Sequence, residues 1–123
     1  MIKIGIYFKD HKWGKHVADA IFTNKDENIF IRGYQSSYKF HFEFKDVTID
    51  IIPVINSSRG YKFDMIYLQD GIDIDAYSTI ILPCLMYHMK SDIPPIKILK
   101  DEEIDNFGVV NSLSTYPNIF KKD

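Results

Sequence analysis

Hydrophobic and polar positions along the chain form a small number of patterns, and each pattern predicts one element of secondary structure. Residues 2–8 combine β-branched and aromatic side chains, which is typical of a strand. Residues 15–23 predict a helix, and a second strand is expected at residues 29–32. The helix has one apolar stripe, formed by Trp13, Val17, Ala20 and Ile21. The first third of the chain therefore predicts a β-α-β unit, in which parallel strands and a right-handed crossover are favoured.

The middle of the chain alternates strictly between apolar and polar residues, as strands with one buried face do. In residues 38–44 the apolar face consists of Phe40, Phe42 and Phe44. In residues 47–52 the apolar face consists of Val47, Ile49 and Ile51. The two residues between these segments, Lys45 and Asp46, are suited to a tight turn. We therefore expect a central β-hairpin.

Further elements are expected beyond the hairpin. Two more strands are predicted, at residues 65–68 and 96–99. Asp75 is placed to cap a helix that Pro83 would keep short. Residues 101–107 predict one or two helical turns that end at Gly108. Together these patterns predict an α/β fold, a mixed sheet of about five or six strands with two or three helices.

Length, charge and cysteine content narrow the class of protein. The 123 residues fit one α/β domain, expected at residues 1–111, followed by a polar C-terminal tail at residues 112–123. The formal net charge of −2 argues against a dedicated duplex-DNA binder. The only cysteine, Cys84, is expected to be a buried small hydrophobe. No apolar segment approaches the roughly 20 residues that span a bilayer, so a cytoplasmic protein without membrane contact is expected.

One segment, FEFKDVTIDIIPVINSSRGYKFDMIYLQD, resembles part of phage terminase large subunits and related P-loop ATPases. In that family two strands joined by a short turn precede a Ser/Arg-Gly loop. An aspartate then introduces an apolar strand that ends in a metal-binding Asp-Glu pair. The matching residues here are Arg59, Gly60, Phe63, Asp64 and the strand 65–68. The resemblance covers about a third of the chain and implies a nucleotide-hydrolysing core.

The catalytic residues of that family are not matched. Gln69 stands where the family has its magnesium-binding aspartate, and Asp70 stands where it has its catalytic glutamate. A glutamine carbonyl is a poor substitute for a carboxylate on Mg²⁺. The phosphate loop is missing as well, since Gly14 and Lys15 are followed by His16 and no glycine precedes them in the loop. We therefore expect a degenerate relative without ATPase activity or cofactor, although an unrelated α/β domain could carry the same residues.

Two enzymatic interpretations stay open. In the first, Asp70 and Asp64 bind Mg²⁺ with a nucleotide, and Lys15 holds the phosphate. In the second, the chain is a metal-dependent nuclease that uses Glu43 and Lys45 in an E-x-K spacing. The aspartates available to it are Asp50, Asp64, Asp70, Asp73 and Asp75. A zinc site is not expected, because the four histidines lack metal-ligand spacing: His11, His16, His41 and His88.

Two basic segments with aromatic residues supply the candidate binding residues. These are Lys12, Trp13 and Lys15 in the first segment and Arg32 and Tyr34 in the second, and the Arg-Gly turn adds Arg59 as a sixth candidate. The two segments would lie at the same end of the sheet if their strands are adjacent. Such residues suit a nucleotide or single-stranded nucleic acid, and tyrosine and arginine also anchor protein interfaces. Trp13 has a second interpretation, as a core residue of the helix stripe.

These observations favour a small phage-type accessory protein with a degenerate NTPase-like core, located in the host cytoplasm. It would act by binding a protein partner, such as a host or counter-defence target, or a nucleotide. A fold that has lost its catalytic residues indicates that its surface is in use. The alternatives are a metal- and nucleotide-dependent enzyme, or a DNA-packaging or replication subunit with salt-dependent DNA affinity.

Overall fold

The computed structural model describes residues 2–85 and 96–106, which form a single six-stranded sheet with helices on both faces. The strands are β1 (Ile2–Phe8), β2 (Phe30–Gln35), β3 (Phe40–Phe44), β4 (Val47–Pro53), β5 (Met65–Gln69) and β6 (Ile96–Leu99). Helix α1 (His11–Asn24) connects β1 with β2. After β5 the short helix α2 (Ile74–Ala76) continues as a π-helical turn (Tyr77–Ile81) and a 3₁₀ turn (Leu82–Cys84). Two further 3₁₀ segments are Asn56–Ser58 and Asp101–Asn106.

The strand order across the sheet is β2-β3-β4-β1-β5-β6. β1 lies at the centre and pairs in parallel with β4 on one side and β5 on the other, and β5 pairs in parallel with β6. β3 pairs antiparallel with both β2 and β4. The sheet is therefore mixed, and the predicted α/β class, the central hairpin and the strands at both ends of the described chain are confirmed.

The β-α-β start has an unexpected position in the sheet. β2 runs in the same direction as β1, because two antiparallel steps and one parallel step separate them. However, β3 and β4 lie between the two strands, and β2 forms the outer edge of the sheet. The two basic segments predicted to bind together therefore do not stand on neighbouring strands.

The larger core lies between the sheet and α1. The predicted inward faces of β3 and β4 are buried there with those of β1, as the alternation requires. Helix α1 begins at His11, earlier than predicted, because Gly14 is a close-packing residue and does not interrupt the helix. A Cβ atom on Gly14 would lie 2.7 Å from the Phe8 ring. No described helix is long and apolar enough to cross a membrane.

A smaller core lies on the opposite face of the sheet. Its buried residues are Tyr7, Ile52, Phe63, Ile66, Leu68, Ile80, Ile81 and Cys84. The helix that covers it is capped by Asp73, whose carboxylate accepts the N–H of Ala76, so the prediction of Asp75 as the cap was wrong. Among the described residues, none of this smaller core comes from β2 or β3. That part of the face carries polar side chains. The predicted stop at Gly108 and the tail 112–123 lie outside the described residues.

Candidate functional site

The carboxyl ends of β1 and β5 meet at the place where the resemblance to P-loop ATPases implies a nucleotide site. Gln69, the last residue of β5, is buried, and its side chain turns toward the loop that joins β1 to α1. Its Oε1 accepts the backbone N–H of Lys9 at 2.8 Å and that of Asp10 at 3.0 Å. Its Nε2 donates to Asp10 Oδ2 at 3.3 Å. The side chain of Gln69 therefore accepts hydrogen bonds from both backbone N–H groups of this loop.

The loop between β1 and α1 consists only of Lys9 and Asp10, so it is too short to surround a phosphate. A phosphate-binding loop works by leaving several backbone N–H groups free to point at the anion. Here Gln69 already satisfies two of them, and Gly14 N donates to the Asp10 carbonyl inside the helix. Lys15 lies on the helix, in an ion pair with Asp19 at 3.3 Å.

The acidic residues of the enzymatic interpretations are dispersed. Asp64 precedes β5 and accepts the backbone N–H of Lys3 at 2.8 Å, whereas Asp70 follows the other end of that strand. Asp64 and Asp70 are six steps apart along an extended strand, a separation of about 20 Å, which is too far for one metal ion. Asp73 is a helix cap and Asp75 is exposed. Within residues 2–85 and 96–106, no three histidine, cysteine or acidic side chains are grouped to hold a metal.

A different set of chemical groups lies on the part of the sheet that the smaller core leaves open. We call it the open face, defined by residues Lys3, Arg32, Tyr34, Lys39, His41, Glu43, Thr48, Asp50, Tyr61 and Lys62. The strand register creates it, because His41 pairs with Tyr34 on one side and Asp50 on the other. Glu43 likewise pairs with Arg32 and Thr48.

Four of these side chains form a continuous chain of hydrogen bonds across three strands. His41 Nδ1 lies 2.6 Å from Asp50 Oδ1, and His41 Nε2 lies 3.1 Å from Glu43 Oε1. Arg32 donates to both oxygens of Glu43, at 2.8 and 3.1 Å. The two-pronged bond from Arg32 lowers the pKa of the Glu43 carboxyl, and the His41 contact adds to the effect. The same bond raises the pKa of the Arg32 guanidinium.

Within the open face, a trough runs between the strands and the loop before β5. Its cavity has a volume of about 440 Å³, and six of its eight lining residues carry a polar group, although apolar atoms form most of the accessible lining. The lining residues are Lys3, His41, Thr48, Asp50, Gly60, Tyr61, Lys62 and Phe63. Tyr61 stacks on Phe63 with 5.5 Å between ring centroids, and its hydroxyl accepts a bond from Lys39 at 3.1 Å. This bond raises the pKa of the Lys39 ammonium.

The six predicted binding residues are not gathered into one site. Arg32 and Tyr34 belong to the open face, and Arg59 is exposed in the loop between β4 and β5. Lys12 and Lys15 are exposed on α1, at the other side of the sheet. Trp13 is 7% exposed and its indole N–H donates to Asp101 at 2.8 Å, so it is a core residue and not a surface aromatic.

The other chemically reactive side chains have separate structural environments. His11 packs between the rings of Phe8 and Phe40, and His16 lies 2.8 Å from Asp105. Cys84 is buried, as predicted, and its thiol donates to the carbonyl of Ile80. Lys45 is exposed in the hairpin turn. His88 lies outside the described residues.

Sequence reasoning missed the open face, although its signal was present. The alternation that turns Phe40, Phe42 and Phe44 inward also places His41 and Glu43 together on the opposite face. The same reasoning aligns Thr48 and Asp50 on β4. The sequence does not indicate that β2 pairs with β3, and this pairing places Arg32 next to Glu43.

Comparison with known proteins identifies no relative. No family model matches the chain. No curated protein matches it, and no solved structure does.

Proposed function

We propose that this chain is a small accessory protein of the phage type that acts by binding and does not hydrolyse nucleotides. The observation that carries the proposal is the side chain of Gln69, which bonds to both amides of the β1–α1 loop. A nucleotide phosphate would need those amides, and a metal would need a carboxylate where this amide stands. The resemblance to P-loop ATPases is thus retained as a proposal about ancestry and not about activity.

The open face supports binding as the function. It has cations, rings and hydrogen-bonding groups on rigid strands, which is the arrangement that recognition sites use. The alternative with a working enzyme requires Lys15 and Asp70 to act on one nucleotide. They line two separate cavities, one beside Phe22 on α1 and one beside Ile98 on β6. This separation favours a binding protein over a nucleotide-dependent enzyme.

A thermal-shift titration with ATP, ADP and GTP, with and without Mg²⁺, tests the proposal. A ligand at 100 times its Kd stabilises a protein by about 2.7 kcal/mol, which is a clear shift in Tm at this chain length. We expect no magnesium-dependent rise, and no phosphate release in a parallel assay.

The variant Asp70→Ala and the matched variant Asp75→Ala provide the controls. Both aspartates are exposed residues near the end of β5, but only Asp70 has the position of the family's catalytic pair. A magnesium-dependent rise together with phosphate release, both abolished by Asp70→Ala and preserved by Asp75→Ala, would overturn the proposal and establish a nucleotide-dependent enzyme.

A further inference from the structure

We propose that the open face binds single-stranded nucleic acid, with bases stacked on its rings and phosphates on its cations. The inference rests on the proposed function, since it names the partner of a protein that acts by binding. Two features of the open face carry it: the distribution of charge and the exposed ring surface beside the trough.

The charge on the open face differs in sign from that of the whole chain. Lys3, Arg32, Lys39 and Lys62 place four cations on it or at its rim, whereas the chain has a net charge of −2. The carboxylates among them are Glu43 and Asp50, with Asp64 at the border beside Lys3, and all three accept hydrogen bonds from this chain. A polyanion is therefore attracted to this face, although the net charge of the chain is negative.

The exposed ring surface is provided by Tyr34. Its ring lies 4.9 Å from that of His41, centroid to centroid, and 51% of the residue stays exposed. The bidentate bond to Glu43 holds the neighbouring Arg32 in place, and the Arg32 side chain, which ends in a planar guanidinium, is 66% exposed. Unpaired bases stack on tyrosine rings and on guanidinium planes, and they do so with little dependence on sequence.

The trough explains why a single strand fits and a duplex does not. Thr48, Asp50 and His41 line its wall with hydrogen-bonding groups, and Tyr61 closes the opposite side. A base that leaves the stack can enter such a trough and form bonds along its edge. Bases in a duplex are already paired and stacked, so neither the ring of Tyr34 nor the trough can reach them.

A protein partner is less well matched to this surface. The centre of a protein interface is apolar and depleted in charge. The middle of the open face instead contains His41, Glu43 and Asp50 in one hydrogen-bonded chain. The large exposed hydrophobic residues closest in sequence, apart from Tyr34 itself, are Ile31 on the edge strand, Tyr38 before β3 and Ile55 after β4, and none of them lines the trough.

Fluorescence anisotropy with labelled oligonucleotides tests the inference on the full chain. The probes are thymidine and uridine oligomers of about 12 nucleotides, which is within the usual site size for single strands. A duplex of the same length is the comparison. We expect saturable binding of the single strands, at least tenfold weaker binding of the duplex, and a loss of affinity with rising salt.

Two pairs of variants locate the binding surface. Tyr34→Val removes the ring and is expected to weaken binding by about tenfold, whereas Phe22→Leu, an equally exposed aromatic on α1, leaves it unchanged. Lys3→Gln is expected to reduce the salt slope by about 0.7, the value for one phosphate contact with a single strand. Lys100→Gln removes the same charge from an exposed position after β6, away from the open face, and leaves the slope unchanged. Circular dichroism and Tm establish that each variant is folded.

Three results would overturn the inference. They are a lack of binding at protein concentrations above about 10⁻⁴ M, the usual non-specific range, equal affinity for duplex, and equal losses from Tyr34→Val and Phe22→Leu. None of these results contradicts the proposed function, which fails only if a magnesium-nucleotide complex binds and is hydrolysed. If the oligonucleotides do not bind, the face is assigned to a protein partner instead.

Discussion

Gln69 Oε1 accepts the backbone N–H of Lys9 at 2.8 Å and thereby ties the end of β5 to the end of β1. The variant Gln69→Leu keeps the size of the side chain and removes its oxygen and amide. It leaves the N–H groups of Lys9 and Asp10 without this partner. We expect the free energy of unfolding to fall by about 0.5–1.5 kcal/mol, the usual net contribution of a hydrogen bond, because both bonds are part-buried. Urea denaturation measures this change.

A glutamine elsewhere in the sheet provides the control for that prediction. Gln35 is exposed at the end of β2, and Gln35→Leu is expected to change stability by less than about 0.5 kcal/mol. Amide hydrogen exchange adds a local readout, since Gln69→Leu is expected to speed exchange at Lys9 and Asp10. Unchanged exchange at both amides would contradict the role given to Gln69.

The bond between Arg32 and Glu43 predicts a specific dependence of stability on pH. Because the pKa of Glu43 is lower in the folded chain than its ordinary value of 4.5, the ionised carboxyl stabilises the fold above that value. The contribution is lost as pH falls through the lowered pKa. The difference in free energy of unfolding between the wild type and Glu43→Gln is therefore expected to be constant down to about pH 4.5 and to shrink below it.

Substitution of Arg32 tests whether its bond to Glu43, and not the titration of another group, causes this pH dependence. The bond from Arg32 is the largest cause of the lowered pKa, so Glu43→Gln in an Arg32→Gln background is expected to show a smaller change with pH. Urea denaturation at a series of pH values measures both pairs. A pH profile that is identical in the two backgrounds would show that another group is responsible.

A larger residue in place of Gly5 is expected to cause a steric clash at the centre of the sheet. A Cβ atom at this position would overlap the ring of Phe63, which lies directly over β1. Gly5→Ala is expected to destabilise the protein by about 1–3 kcal/mol, as overpacked cores do. In a Phe63→Leu background the same substitution is expected to cost at least about 1 kcal/mol less, because the two residues are coupled. Equal costs in the two backgrounds would rule out this contact as the cause.

The indole of Trp13 attaches the segment after β6 to helix α1. Its N–H donates to Asp101 at 2.8 Å, which joins α1 to the 3₁₀ segment Asp101–Asn106. Asp101→Ala is expected to cost about 1–2 kcal/mol, and Asp101→Asn less, since asparagine keeps an acceptor oxygen. Trp13 is the only tryptophan, so its fluorescence during urea unfolding reports directly on this contact. The opposite order of the two variants would contradict the bond.

Local patterns in the sequence were enough to predict the elements and most of the larger core. The alternation of Phe40, Phe42 and Phe44 with polar residues indicates which side of the strand points inward, and these three residues are buried. The place of β2 could not be predicted in this way. Its pairing with β3 is a relationship between segments, and β1 and β2 looked like neighbours because α1 alone separates them in sequence.

The candidate site was harder to predict because its residues have ordinary individual roles. His41 and Asp50 look like solvent-facing positions of two strands, and only the register brings them within 2.6 Å. The family pattern describes Gln69 only as the loss of a metal ligand. In the structure its amide donates and accepts at once, which a carboxylate at neutral pH cannot do. Comparison with a family pattern records the absence of a carboxylate but not the bonds that replace it.

The central place of β1 has a consequence for the order of assembly. Ile4 pairs with Ile49 on one side and with Met65 on the other, both far along the chain. The β3–β4 hairpin can form from local contacts, but the middle of the sheet cannot close until β5 has been synthesised. Sheets with such distant pairings form slowly. A nascent chain that stops short of β5 exposes one edge of β1, and an unpaired apolar edge invites aggregation.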